Sequence, residues 1–305
     1  MSVEHCNVKN EHNQLKAVVV GTAESWGPNP TPEEAIDPKS REHILAGTYP
    51  IESDVKEELE ALAEILKSEG VTVYRPEVVN DLNQVFARDV GVVIDDKLVR
   101  TSMIADRAPE WEGISPIFTN LPEGNILTPP DGVRVEGGDV MPMGDEIWVG
   151  IGDAEDFDVY KTARTNIEAI VWLKEMFPNK TVRHFALSKS DTDPRLNALH
   201  LDCCLSPLGL GHVIFHPEGM KNESDRAWVR ERFAGKIIEV DAESMYHMHC
   251  NLFSIAPDTV ISGTGFDRVN AQLRDWGYRV IETKMEETSK MEGLLRCVTL
   301  PIQRS

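Results

Sequence analysis

The sequence predicts an α/β fold of five repeated units around a common axis. Two observations lead to this prediction. Pairs of short apolar, β-branched runs separated by a tight turn recur along the chain, as β-hairpins do. Between them recurs an amphipathic helix followed by a short strand. Internal repeats of roughly 50 residues are typical of propeller-like or solenoid arrays, in which equivalent residues occupy equivalent places in each unit.

The composition is that of a globular protein. The 305 residues are 41% hydrophobic, which is enough for a substantial core, and no linker divides them, so we expect one catalytic domain over residues 1–305. No apolar run approaches the roughly 20 residues of a membrane span, and residues 1–14 lack the features of a signal peptide. We therefore expect a cytoplasmic protein that does not bind membranes.

The net charge and the cysteine count exclude two kinds of partner and one kind of scaffold. A net charge of −20 repels nucleic acid and anionic lipid, so neither is an expected partner. The five cysteines are an odd number in a long chain without an export signal. A disulfide framework is therefore not expected, and the thiols should be free.

The first elements are a strand, a loop, a helix and a second strand. Residues 15–21 are apolar and β-branched and end in glycine, and residues 27–38 form a proline-rich loop. The helix pattern over residues 55–66 ends at Gly70, before the strand at 71–74. The same helix–strand order recurs before residues 278–281 and, more loosely, before 237–240 and 181–182.

Four hairpins and a last strand complete the repeats. The predicted hairpins cover residues 90–99, 140–149, 203–215 and 252–261. Each begins at a polar residue, and a thiol begins the last strand at 297–302, which we expect to pair with residues 15–20 and close the ring. These five residues are Asp89, Asp139, Asp202, Asn251 and Cys297. If the units surround an axis, the five should converge.

Cys297 and His200 are candidates for a thiolate site. Cys297 follows a glycine turn at the start of an apolar strand, and His200 and Asp202, two residues apart, would share one face of another strand. A single cysteine with a distant histidine and acids is the pattern of an activated nucleophile. The structural alternative is that Cys297 is a small buried hydrophobe.

Five motifs in this order resemble those of a known enzyme family. They are Phe86-Ala87-Arg88-Asp89, Val135-Glu136-Gly137-Gly138-Asp139-Val140, Arg164-Thr165-Asn166, His200-Leu201-Asp202 and Arg296-Cys297-Val298-Thr299-Leu300-Pro301. The chain resembles the guanidino-group-modifying enzymes of the pentein fold, which include arginine deiminases and amidinotransferases. The resemblance covers nearly the whole chain and implies a five-fold pseudosymmetric α/β propeller of ββαβ-type repeats.

The resemblance implies two competing activities. Residues 46–50 and 69–76 look more like the amidinotransferases, whereas Arg296 beside Cys297 and the Glu136-Gly137-Gly138 motif look like the deiminases. The leading expectation is hydrolysis of arginine, or a related guanidino compound, to a ureido product and ammonia. The alternative is transfer of the amidino group to an amine. Methylated-arginine hydrolases generally lack an acid at the position of Asp202, which argues against that substrate.

The resemblance also implies the roles of the site residues. Cys297 would attack the guanidino carbon, His200 would act as acid and base, and Glu136 would hold the group and assist His200. Asp89 and Asp202 would bind the guanidino nitrogens, since a planar cation with five N–H donors needs carboxylates in its plane. Asp139 is either a substrate ligand or a turn-fixing residue. The resemblance implies no cofactor and no metal.

Four further residues are candidate substrate ligands. Arg164 and Arg107 are candidates for a substrate carboxylate, which arginine grips in bidentate fashion. Asn251 and Arg296 are candidates because they lie at the predicted convergence. The sequence does not define the tail of the substrate, and it leaves a homo-oligomer open.

Two other protein classes remain as alternatives. The run from Tyr246 to Cys250, with Cys203 and Cys204, would supply ligands for a zinc-binding module, although adjacent strand residues point to opposite faces. A ribosome-associated factor is the other alternative, because the pentein fold includes such a member. That factor is expected to lack the Cys-His-acid set, which this chain has.

Overall fold

Five three-stranded sheets organise the chain in the computed structural model, which describes residues 2–305. In every sheet the middle strand pairs antiparallel with one neighbour and parallel with the other. The sheet orders are β15-β1-β2, β3-β4-β5, β6-β7-β8, β9-β10-β11 and β12-β13-β14, in which the strands are β1 Leu15–Val20, β2 Thr72–Tyr74, β3 Gly91–Ile94, β4 Lys97–Arg100, β5 Ile126–Leu127, β6 Val140–Met143, β7 Glu146–Ile151, β8 Thr181–Ala186, β9 Leu205–Pro207, β10 Val213–Phe215, β11 Ile237–Glu239, β12 Phe253–Ala256, β13 Thr259–Gly263, β14 Arg279–Thr283 and β15 Thr299–Arg304.

Helices connect the middle strand of each sheet to its parallel third strand, because parallel neighbours need a crossover. These connections contain α2, α4, α6, α8 and α10. The α-helices are α1 Pro38–Leu45, α2 Glu52–Ser68, α3 Ala87–Val90, α4 Glu110–Ile114, α5 Asp156–Val159, α6 Ile167–Met176, α7 Leu201–Cys204, α8 Glu223–Arg232, α9 Ala242–Tyr246, α10 Asp267–Asp275 and α11 Glu286–Ser289, and 3-10 turns cover Ser115–Phe118, Gly137–Asp139 and Pro217–Gly219.

The hydrophobic pattern explains how the helices pack. In α2 the residues at helical spacing, Val55, Leu59, Leu62 and Leu66, are all fully buried and belong to one apolar cluster with residues of strands β1, β12 and β13 and helix α10. Within residues 2–305, no helix has the length and apolar character that crossing a bilayer requires.

The ring closes as the sequence predicted. Strand β15 pairs antiparallel with β1, so the last strand of the chain joins the first sheet. The residues that begin the units contact one another in succession. Around the ring, Arg88 N–H donates to Cys297 O (3.0 Å), Gly137 packs on Arg88 O, Leu201 N–H donates to Asp139 Oδ1 (3.0 Å), Asn251 Nδ2–H donates to Asp202 O (3.2 Å), and Arg296 N–H donates to Asn251 Oδ1 (2.9 Å).

Three details of the predicted elements were wrong. Asp89, Asp139 and Cys297 do not begin strands but lie in the turns just before them, since β3 begins at Gly91, β6 at Val140 and β15 at Thr299. His200 and Asp202 do not share a strand, because Leu201–Cys204 is the one-turn helix α7 and strand β9 begins only at Leu205. The carboxylate of Asp139 accepts the first N–H of that turn, a partner that the local sequence does not reveal. The fifth parallel strand, β5, was missed because it is two residues long.

Candidate active site

A cavity of about 650 Å³ contains part of the predicted site. Its outer wall is the proline-rich loop, together with Trp26 and Tyr49. The predicted site residues that line it are Cys297, His200, Asp89, Arg107 and Arg164. The cavity thus combines a thiol, an imidazole and a carboxylate from three different units of the ring.

Cys297 is held by side chains from two other units. Asn251 Nδ2–H donates to Cys297 Sγ at 3.2 Å, and Asn251 Oδ1 accepts the Cys297 N–H at 3.2 Å. The thiol lies 3.6 Å from Asp202 Oδ2 and 3.8 Å from Asp202 Oδ1. The sulfur therefore has a defined position in a buried, polar setting.

The surroundings of Cys297 favour the neutral thiol when the cavity holds no cation. A hydrogen bond with the Cys203 thiol lowers the pKa of Cys297, but burial and the Asp202 and Asp89 carboxylates outweigh it and raise that pKa above its usual value. A cation bound beside the sulfur would act in the opposite direction.

His200 lies between two carboxylates. Its Nε2–H donates to Glu136 Oε2 at 2.8 Å, and its Nδ1 lies 3.5 Å from Asp89 Oδ1. Burial alone would lower the pKa of His200, but Asp89 and Glu136 raise it above its usual value. The ring is thus prepared to carry a proton near neutral pH.

Gly138 explains why glycines precede Asp139 in the motif. A Cβ at Gly138 would lie 2.7 Å from both His200 Cγ and Asp89 Oδ1. Any larger side chain would therefore displace the imidazole or the carboxylate.

The two oxygens of Asp89 differ in their hydrogen bonds. Arg107 Nη1–H donates to Asp89 Oδ2 at 2.7 Å, whereas Asp89 Oδ1 is buried and accepts no hydrogen bond from the described residues. Because buried carboxylate oxygens are normally paired, this oxygen indicates a place for a donor from a ligand.

The prediction for Arg107 needs correction. Its Nε and Nη2 grip Glu110 in bidentate fashion at 2.7 and 2.9 Å, and its Nη1 binds Asp89. The guanidinium fork is therefore occupied by carboxylates of the protein and is not free to grip a substrate carboxylate. Its observed partner is Glu110, which the sequence reading missed although the two residues are three apart.

Arg164 also differs from its predicted role. Its Nη1 donates to both oxygens of Glu136 at 3.0 and 3.2 Å, and its Nη2 donates to Ile36 O at 2.7 Å in the loop of the outer wall. Burial alone would raise the pKa of Glu136, but Arg164 and His200 lower it well below its usual value. Arg164 thus keeps Glu136 ionised beside His200.

Four other predicted substrate ligands, Asp202, Asp139, Asn251 and Arg296, are not among the residues that line the cavity. Asp202 is fully buried, and its Oδ2 accepts from Arg296. Asp139 is fully buried and accepts the Leu201 N–H, so the turn-fixing alternative fits it better than substrate binding. Asn251 holds the Cys297 turn through backbone and thiol contacts. Arg296 points to the other side of that turn and donates to Asp202 Oδ2 at 2.7 Å.

Several acidic residues of the cavity had no predicted role, among them a buried pair. Asp37 and Glu292 both line the cavity, and Asn197 Nδ2–H donates to Glu292 Oε1 at 2.6 Å. Burial and the neighbouring Asp37 raise the pKa of Glu292 well above its usual value. Glu292 lies shortly before Cys297 in the sequence. Nothing in its local sequence indicated that its neighbour in the structure would be Asp37, which is far from it in the chain.

The zinc alternative does not match the observed geometry. Within residues 2–305, the side chains close enough to share an ion are Asp89, Glu136 and His200, not those of the Tyr246–Cys250 run. Arginine guanidinium groups already pair with both carboxylates of that set. A divalent cation would have to compete with them.

Comparison with known proteins assigns the family. Residues 135–304 match the family model described as "N,N dimethylarginine dimethylhydrolase, eukaryotic". The chain belongs to this family, within the pentein superfamily of guanidino-group-modifying proteins. An uncharacterized protein, YkgA, from Bacillus subtilis is 31% identical over 245 residues, covering 80% of this chain and 78% of that protein.

Solved structures confirm the pentein fold. The N-terminal domain of ArgZ, a cyanobacterial arginine dihydrolase bound to its substrate, matches with a TM-score of 0.75 at 20% identity over 94% of this chain and 98% of that one. An inosamine-phosphate amidinotransferase from Streptomyces griseus matches with a TM-score of 0.74 at 17% identity over 98% and 97%. Family membership supports a guanidino-modifying hydrolase or transferase.

Proposed function

We propose that this protein is a cysteine-dependent hydrolase that converts arginine, or a related guanidino compound, to a ureido product and ammonia. Residues 1–305 would act as one catalytic unit. The observation that carries the proposal is the buried Asp89 Oδ1, which accepts no hydrogen bond, beside His200 in a cavity that Cys297 also lines. A guanidinium is a planar cation whose N–H donors match such an oxygen.

The first half of the reaction forms a covalent intermediate. The bound cation lowers the pKa of Cys297, and the thiolate attacks the guanidino carbon. His200, held by Glu136 and with a raised pKa, donates a proton to the departing nitrogen, which leaves as ammonia. The substrate remains attached to sulfur through its former guanidino carbon.

The second half releases the product. His200, now neutral, takes a proton from water, and the resulting hydroxide attacks the carbon on sulfur. The carbon–sulfur bond breaks and Cys297 regains its thiolate. The added hydroxyl loses its remaining proton to the solvent, and its oxygen becomes the ureido carbonyl. The net change is addition of one water and loss of one ammonia.

Asp202 bears on the choice of guanidino compound. Asp202 Oδ1, the oxygen that Arg296 does not bind, lies 3.8 Å from the Cys297 sulfur, where it would accept an N–H from a guanidino nitrogen held against the thiol. A guanidino nitrogen that carries two methyl groups has no N–H to donate. Asp202 therefore supports a substrate with unmethylated terminal nitrogens, despite the name of the matching family model.

Amidino transfer is the second candidate. Tyr49, in the segment that resembles the amidinotransferases, lines the cavity, and the volume of about 650 Å³ would admit an amine acceptor. In this reaction ornithine, not ammonia, leaves in the first half, so that the amidino group alone remains on the Cys297 sulfur. Attack by an amine on that carbon, with release of the thiolate, gives a new guanidine.

Product analysis separates the two candidates. Purified protein is incubated with arginine and a panel of guanidino compounds, with and without glycine as a primary amine, and the products are identified by mass spectrometry. We expect citrulline and ammonia from arginine even when glycine is abundant. Ornithine with a guanidino product of the acceptor, and no citrulline, would refute the hydrolase proposal and support the transferase.

A further inference from the structure

Glu11 is a buried acid with no contact to the cavity. It lies in the N-terminal segment before β1 and is 7% exposed. Glu11 Oε2 accepts from Arg296 Nε and Glu11 Oε1 accepts from Arg296 Nη2, both at 3.1 Å. This fork-to-fork pair joins residues 285 positions apart in the sequence.

Arg296 has every N–H engaged. Besides the two donated to Glu11, its Nη1 donates to Asp202 Oδ2 at 2.7 Å and to Gly138 O at 3.2 Å, and its Nη2 donates to Val140 O at 2.9 Å. All five donors of a guanidinium are thus used. Arg296 is therefore a rigid bridge between Glu11 and the carboxylate that lies beside the Cys297 sulfur.

The region behind Asp202 is rich in buried positive charge. Arg88 Nη1 lies 3.8 Å from Glu11, and Arg304 is buried nearby. Burial alone would raise the pKa of Glu11, but Arg296 and Arg88 lower it to about 2, so Glu11 is ionised at neutral pH. Glu11 thus supplies a negative charge among three guanidinium groups.

We propose that Glu11 is a positioning residue of the active site. It acts through Arg296, fixing the Asp202 carboxylate and offsetting the positive charge behind it, so that Asp202 keeps its negative charge available to a guanidino group. The inference rests on the proposed function, but one of its tests does not require turnover.

Replacement of Glu11 by glutamine has two expected effects of different kinds. With one negative charge fewer, Arg296 cancels more of the charge on Asp202, so a cationic substrate should bind more weakly. We expect KM to rise about tenfold or more, with a smaller change in kcat. Removal of a negative charge also favours the Cys297 thiolate, so alkylation of the free enzyme should become faster at a given pH.

The groups that face the Cys297 thiol influence its pKa and therefore its rate of alkylation. They are Asp202 and Cys203 from α7 and Asp89 from α3, and none of them is altered in the Glu11 variants. A shift in the alkylation profile then reports the charge delivered through Arg296.

The experiment compares Glu11→Gln and Glu11→Asp with Glu4→Gln, a control at an exposed glutamate in the same segment. KM and kcat are measured for the guanidino compound that wild type turns over, and the rate of iodoacetamide modification of Cys297 is followed from pH 7 to 9. Glu11→Gln should raise KM and shift the alkylation profile to lower pH. Glu11→Asp, which keeps the charge, should retain the wild-type alkylation profile.

Three outcomes would overturn the proposal: unchanged KM and alkylation in Glu11→Gln, a fall in kcat without a rise in KM, or an alkylation shift in Glu11→Asp equal to that in Glu11→Gln. If Glu11→Gln does not fold, the pH profile of Cys297 alkylation in Glu11→Asp still tests the proposal. A shift of that profile would contradict a role of Glu11 through its charge, because aspartate keeps the charge. If wild type turns over no guanidino compound, the proposed function fails, and the alkylation comparison still tests Glu11.

Discussion

Gly138→Ala should greatly lower the activity, although the substitution replaces no reactive group. The added Cβ would lie 2.7 Å from His200 Cγ and from Asp89 Oδ1, whereas ordinary contacts begin near 3.4 Å, so the imidazole or the carboxylate must move by about 0.7 Å. His200 is fixed on its other side by Glu136 at 2.8 Å, which leaves it little room to adjust. Since a misplacement of about 1 Å in a catalytic site can cost about 100-fold, we expect kcat/KM to fall on the order of 100-fold.

Steady-state kinetics on purified Gly138→Ala, with circular dichroism and a thermal melt, test this expectation. Gly91→Ala is the matched control, because a Cβ there meets mainly the flexible Leu98 side chain at 3.3 Å. The control should retain activity within a few-fold. Overpacking of this kind costs typically about 1–3 kcal/mol of stability, so both variants should still fold. Wild-type kcat/KM in folded Gly138→Ala would refute the reasoning that Gly138 sets the position of His200.

Three more predictions follow from the same contacts. Cys297→Ala should abolish turnover, whereas Cys204→Ala, whose buried thiol donates to a backbone carbonyl, should stay active; comparable activity of the two would contradict the assignment. Asp89→Asn and Asp202→Asn should each lower kcat/KM by two to three orders of magnitude, since leaving a buried charge unpaired costs about 3–5 kcal/mol, whereas the exposed Asp145→Asn should be silent. Because burial and the nearby carboxylates raise the pKa of Cys297 above its usual value, its alkylation by iodoacetamide in the free enzyme should still be accelerating, by about tenfold per pH unit, between pH 7 and 8, and a plateau in that range would contradict the raised pKa.

The repeats of the fold could be predicted because their signals are local. The hydrophobic period that predicts α2 and the turn that predicts each hairpin each involve residues that are close in the sequence. All four predicted hairpins are present. The turn at Leu201–Cys204 reads as part of a strand because an apolar run follows His200, and its first N–H is bound by the Asp139 carboxylate of another unit, a contact that the local sequence does not reveal. Strand β5 is too short to show a period.

The composition of the site was predictable, but the pairing of its charges was not. The motifs indicated Cys297, His200 and Asp89, which all line the cavity. They did not reveal that Arg107 and Arg164 are held by carboxylates of the protein, because ion-pair partners are chosen in three dimensions. Glu11 is the extreme case, since its partner is near the other end of the chain and its own sequence carries no motif.

The most direct test of the proposed chemistry is to capture the intermediate on Cys297. In His200→Asn the base that activates water is missing, so hydrolysis of the intermediate should become slower than its formation, and a covalent species should accumulate when the variant is mixed with arginine and quenched in acid. Peptide mass spectrometry should locate on Cys297 a mass equal to arginine less ammonia, as expected if ammonia is the first product. An increment of the amidino group alone would retain Cys297 as nucleophile but favour transfer chemistry. A substrate-derived mass on another residue, or continued turnover after Cys297 is replaced by alanine, would contradict the account.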